Sequence, residues 1–222
     1  MTAVLRKPEA PEPPTLETIA DLCERLGGID PSRILLKPAP GMAVEQDVVD
    51  INDHTNRLFE LVEGTLVEKP MGVRESRVAA MLIQILGAFA ESNDLGIVLA
   101  PDGMLRLAPG LVRMPDVSFL LWNRFPERKL PVEPIPDLAA DLAIEVLSKS
   151  NTKREMRRKT GEYFAAGTRC VWLVDPVTRS IEVFSSPTSS ARFTGDDPVA
   201  VGDLLPGLSL TPAELFRRAG LE

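Results

Sequence analysis

The chain has 222 residues, 44% hydrophobic and 26% charged, with a formal net charge of −7. This is ordinary globular usage, and the length suits one domain of moderate size with a single core. No stretch nears the roughly 18 unbroken apolar residues of a membrane helix, and His54, Cys23 and Cys170 match no zinc spacing.

The segment from Met1 to Pro14 holds four prolines and several charges but no apolar signal core. It reads as a Pro-rich arm of a cytoplasmic protein with reduced cysteines. A short helix is expected from Thr15 to Leu26, capped by Thr15 and stopped by Gly27-Gly28, and residues 29 to 50 read as irregular. The arm and helix form an N-terminal segment, 1–44. The rest, 45–222, is expected to be the main domain.

Leu58 to Val62 and Thr65 to Glu68 predict a β-hairpin turning at Gly64. Val73 to Glu91 predicts a long helix, because Val78, Leu82, Ile85, Leu86 and Phe89 form one stripe. Short strands follow near Gly96 to Ala100, Met104 to Leu107 and Val117 to Trp122. Residues 123 to 137 hold four prolines and predict a surface loop. Leu142 to Leu147 predicts a buried strand. Thr152 to Ala166 predicts a helix, opened by a capping box of Thr152 and Glu155 and closed by Gly167. Arg169 to Asp175 and Ser180 to Ser185 predict strands, and Thr211 to Arg218 a last helix. A helix between two strands suggests one parallel crossover, so the expected class is α/β (α+β), a mixed β-sheet flanked by helices.

Two carboxylates stand out against this frame. Asp116 follows Pro115 at the mouth of an apolar strand, and a strand-end turn would also explain it. Glu145 lies inside Leu142-Ala143-Ile144-Glu145-Val146-Leu147, apolar on both sides. Unless that strand face is exposed, Glu145 needs a partner, a metal or a proton. The separation, 145 − 116 = 29 residues, requires the two acids to come from neighbouring strands.

At 100° per residue, Thr152, Met156, Lys159, Tyr163 and Ala166 share one helical stripe, so Lys159 turns toward the sheet. An i,i+4 pair of Glu155 with Lys159 is the competing reading. From Lys149 to Lys159 the chain carries six basic residues and one acid. Lys153, Arg154, Arg157 and Arg158 are the candidate contacts to a phosphate backbone, or else a solvated face. Glu75 is in register with the stripe of the first long helix, where the macrodipole alone would favour an acid. Glu60, in the hairpin, carries a weaker signal. Two carboxylates can hold Mg²⁺, which lowers the pKa of a bound water, while a lysine orients that water.

The chain resembles the Uma-type restriction-endonuclease family of the PD-(D/E)xK superfamily. The resemblance rests on Glu60-Leu61-Val62-Glu63-Gly64, Arg113-Met114-Pro115-Asp116, Glu145-Val146-Leu147-Ser148, Lys159 with Tyr163, Val171 to Pro176, and Leu205-Pro206-Gly207-Leu208. It implies a restriction-endonuclease-like core over the main domain, with Asp116 and Glu145 as ligands of Mg²⁺ (or Mn²⁺) and Glu75 joining the metal shell from the first long helix. Two departures are evident. Leu147 occupies the usual lysine position, so Lys159 on the next helix substitutes, and Glu75 stands where many members carry a histidine.

The expected function is a metal-dependent nuclease acting on nucleic acid, DNA by preference, with Asp116, Glu145, Lys159 and Glu75 in the catalytic group. A homodimer would let two sites cut two strands. The alternatives are an inactive nucleic-acid-binding or assembly module on the same fold, and a phosphodiesterase for a small nucleotide.

Overall fold

A computed structural model describes residues 17–200 and 202–221. The Pro-rich arm over 1–14 and the cap expected at Thr15 lie outside the described residues. The first helix, α1 (Ile19–Arg25), starts instead at Thr18, whose hydroxyl caps Asp21 N in a reciprocal capping box.

The expected irregular stretch 29–50 ends in the first half of a helix, α2 (Glu45–His54). Only Val48 of α2 is buried, so its apolar stripe is too thin to show in the sequence. Its start is fixed by Asp47, which accepts Val44 N–H at 2.8 Å.

The hairpin β1 (Phe59–Val62) and β2 (Thr65–Glu68) turns through Glu63 and Gly64, both at positive φ. A Cβ on Gly64 would lie 2.6 Å from the Gly41 carbonyl, so this turn is also closed to a larger residue by the loop seated on it.

The long helix α3 (Val73–Ser92) precedes β3 (Gly96–Leu99), β4 (Leu105–Ala108), β5 (Leu111–Arg113) and β6 (Val117–Leu121). Then come β7 (Leu142–Val146), α4 (Lys153–Ala165), β8 (Cys170–Asp175), β9 (Ser180–Ser186), β10 (Ser189–Thr194) and α5 (Pro212–Ala219). The strands form two sheets rather than one, in the orders β2-β1-β5-β4 and β10-β9-β8-β7-β6-β3. The short β5 and the exposed β10 add strands that the sequence pattern does not announce.

In the six-stranded sheet only β7 and β8 run parallel, and α4 is their crossover. Alternation along the strands divides the core. Leu142, Ile144 and Val146 pack with α3 and α5 residues such as Leu82 and Phe216. Ala143 of β7 and Leu120 of β6 pack with Met156 and Tyr163 of α4. Glu145 and Asp116 share the parity of that second set, so both acids belong on the α4 side.

The N-terminal segment docks on α4. Leu22, Cys23, Leu26, Ile29 and Ile34 pack with Val62 and Val67 of the hairpin. Gly27 approaches the α4 backbone so closely that a Cβ would lie 2.7 Å from Glu155 Cα. Thr152 caps α4 by accepting Glu155 N–H at 3.0 Å. The expected capping box is only half formed, because the Glu155 carboxylate turns to Arg33, at 3.0 and 2.7 Å. That buried pair also replaces the Glu155–Lys159 pairing considered from the sequence.

Among the described residues no helix is long and apolar enough to cross a membrane.

Candidate active site

The β6–β7 register pairs Val117 with Ile144. One step further along, Asp116 stands opposite Glu145. Two acids at such cross-strand positions repel unless cations lie between them. Asp116 is fixed by the residue after Glu145 on β7, with Oδ2 accepting Val146 N–H at 2.6 Å.

Each acid carries a lysine. Lys69 Nζ lies 2.8 Å from Asp116 Oδ1 and also donates to the Met114 and Pro101 carbonyls. Lys159 Nζ lies 3.2 Å from Glu145 Oε1 and 3.1 Å from Glu60 Oε2, and is itself only 2% exposed. Tyr163, one helical turn on, donates its hydroxyl to Glu145 Oε1.

Glu60 anchors the back of the cluster. It accepts Arg113 Nη1 at 2.7 Å and Met114 N–H at 3.1 Å, and Arg113 continues to Glu162 at 2.6 Å. Apart from the partly exposed Glu162 these charges are removed from water, so the network holds only because each is matched.

The protonation states follow from this arrangement. Burial raises the Glu60 carboxyl, but Lys159, Arg113 and Lys69 outweigh it and hold it below the usual glutamate range. Burial raises Glu145 as well. There Lys159 and Lys69 do not fully offset burial and the Asp116 and Glu60 charges, and Glu145 sits above its usual value. Burial lowers the Lys159 ammonium, yet Glu145 and Glu60 reverse that and keep it charged. Burial and then Glu145 push the Tyr163 phenol well up, so it stays a donor.

The sequence-predicted acids and lysine therefore converge: Asp116, Glu145 and Lys159 lie in one buried cluster. Glu75 makes no hydrogen bond or ion pair with them among the described residues. Its carboxylate folds back over Gly72 at the start of α3, where a Cβ on Gly72 would meet Oε2 at 2.3 Å.

The four candidate phosphate contacts divide. Arg154 bonds the Glu24 carbonyl and carboxylate, and Arg158 bonds Arg25 O, Glu63 and Glu162. Lys153 and Arg157 are exposed.

Lys69 is a site residue that no sequence motif marks. Its parity carried a signal, since Val67 opposite Glu60 places Lys69, two residues on, on the Glu60 face of the hairpin.

The donor set bears on a divalent ion. Carboxylate oxygens suit Mg²⁺, which is commonly held by one or two carboxylates while keeping its waters. Lys159 and Tyr163 both bond Glu145 Oε1, and Oε2 accepts no hydrogen bond among the described residues. Among the described residues no group of three or more His, Cys, Asp or Glu is gathered as a metal cage. Asp116 and Glu145 thus fit a hard cation as a two-carboxylate site, provided Lys69 yields Asp116 Oδ1.

The mixed sheet flanked by helices is a restriction-endonuclease-like fold. The model of the Uma2 family, described as "Putative restriction endonuclease", matches residues 45–213, and the chain belongs to that family. A similar solved structure is a crystal structure of a putative nuclease belonging to DUF820 from Anabaena variabilis ATCC 29413. It has TM-score 0.67 and 22% identity, covering 74% of this chain and 93% of that one. At that identity the likeness speaks for the fold alone. No curated protein matches the chain.

Proposed function

We propose that this protein is a divalent-metal-dependent nuclease cutting phosphodiester bonds in nucleic acid, DNA by preference. The observation that carries the reading is the buried pair Asp116 and Glu145, opposite one another at the end of β6 and β7 and each neutralised by a lysine. Membership of the Uma2 family supports it.

Asp116 and Glu145 would hold Mg²⁺ or Mn²⁺. When bound, such an ion acidifies a water and offsets charge on the phosphate. Val146 N–H orients Asp116, and Tyr163 and Lys159 orient Glu145. Lys159 also presents its ammonium to a water beside Glu145 and stabilises negative charge developing there. Glu60 and Arg113 fix Lys159 from behind. Glu75 joins this set only by leaving Gly72.

The test is cleavage of plasmid and oligonucleotide DNA with Mg²⁺ or Mn²⁺, beside Asp116→Ala and Glu145→Ala. Each substitution is expected to remove about a hundredfold or more of the activity. Metal-dependent cutting that survives both sinks the reading.

One observation favours an inactive binding module on the same fold: the two lysines already neutralise both acids without a metal. Calorimetry separates the two, because the nuclease reading requires Mn²⁺ to bind and that binding to depend on Asp116.

A further inference from the structure

Helix α4 sorts its positive charge. On the flank toward the carboxylates and α1, Arg154, Arg158 and Lys159 are all committed to protein partners. On the opposite flank Lys153 and Arg157, with Lys149 just before the helix, are exposed and make no ion pair among the described residues. All three line one groove of about 780 Å³ between α4 and the β8–β9 part of the sheet.

The floor of that groove is apolar, built by Met156, Leu173 and Phe184. Its two acids are already occupied: Asp175 accepts the Val177 N–H and the Thr178 hydroxyl, and Glu182 accepts the Ser190 hydroxyl. The groove reaches Leu147 and Ser148, so it begins within three residues of Glu145.

Cations along a rim and an aromatic ring on the floor suit a ligand with regularly spaced phosphates and flat apolar rings. The volume is that of a small-ligand site, which admits a short stretch of one strand and excludes a duplex. We infer that this groove binds a single strand of nucleic acid, with phosphates on Lys149, Lys153 and Arg157 and a base against Phe184. The inference rests on the nuclease reading for its ligand class and gives it a track on the far side of α4.

The test measures binding of labelled single-stranded oligonucleotides, as DNA and as RNA, by fluorescence anisotropy in EDTA, with the duplex of the same sequence alongside. The single strand should bind more tightly than the duplex. Lys153→Glu and Arg157→Glu should each weaken binding about tenfold and lower the salt slope by about 0.7. Phe184→Leu should weaken it without changing that slope. Lys129→Glu makes the same charge change outside the groove and should bind like the unaltered protein.

No single-strand binding, a preference for duplex, or a Lys153→Glu protein that binds like Lys129→Glu overturns the groove. Because EDTA removes the metal, strand binding without any metal-dependent cleavage keeps the groove and sinks the nuclease reading alone. Cleavage with unaltered strand binding in the groove variants does the reverse.

Discussion

Lys69 and Asp116 form a buried ion pair, 2.8 Å from Nζ to Oδ1, between the hairpin of one sheet and the strand mouth of the other. The ammonium stands where a cation would have to approach that carboxylate. An ammonium beside a dication is strongly repelled at such distances, so Lys69 and the metal compete for Asp116. Lys69→Met is expected to raise Mn²⁺ affinity about tenfold in calorimetry while lowering the metal-free stability. Weaker binding in Lys69→Met would show instead that the lysine prepares Asp116 for the metal.

Tyr163 holds Glu145 from the helix side. Groups that orient a metal ligand commonly affect affinity by about ten- to a hundredfold. Tyr163→Phe keeps the ring in its buried place and removes only the hydroxyl. It should lower Mn²⁺ affinity within that range, with circular dichroism unchanged. Affinity equal to that of the unaltered protein would remove Tyr163 from the site's frame.

The Glu60 carboxyl is held below its usual value near 4.5, against its burial, by Lys159, Arg113 and Lys69. Its unfolded form therefore takes up a proton first on acidification. The stability from Glu60 is complete above about pH 4.5 and is lost as pH falls through the lowered folded value. Urea denaturation as a function of pH should show an acid slope that is shallower in Glu60→Gln. The same variant should be less stable at neutral pH, because Lys159 and Arg113 lose a buried partner. An unchanged acid slope would count against the assigned direction.

Arg33 and Glu155 meet through two hydrogen bonds in a pair with side-chain exposures of 6% and 4%. Removing one member of a buried pair strands the other's charge. Arg33→Ala should destabilise the protein by about 3–5 kcal/mol in urea denaturation. A loss below about 1 kcal/mol would mean that water reaches Glu155 once the arginine is gone.

Much of the site was readable because it obeys simple periods. An apolar run on both sides marked Glu145 as an acid inside a buried strand, and the helical stripe put Lys159 on the sheet-facing side of α4. Lys69 and Arg33 escaped for different reasons. Lys69 shows its direction once the hairpin register is known, but its partner Asp116 belongs to another sheet. Arg33 finds Glu155 across 122 residues, and no local pattern encodes that meeting. The fate of Arg154 and Arg158 was hidden in the same way, since a basic run looks alike whether it faces solvent or the end of α1. Helix α2 escapes the pattern because Val48, Val49 and Ile51 are its only apolar residues and leave a short periodic trace, and β10 because its residues are nearly all exposed.

The seat of Gly27 on the α4 backbone gives the segment before residue 45 a mechanical part in the site. Together with the Arg33 clamp it sets the height and tilt of α4 over the sheet, and α4 carries both Lys159 and Tyr163. A fragment cut to the matched stretch 45–213 would keep both carboxylates and lose the wedge that presses their helix against them. The contacts that seat α4 therefore begin upstream of the part that family likeness alone would select.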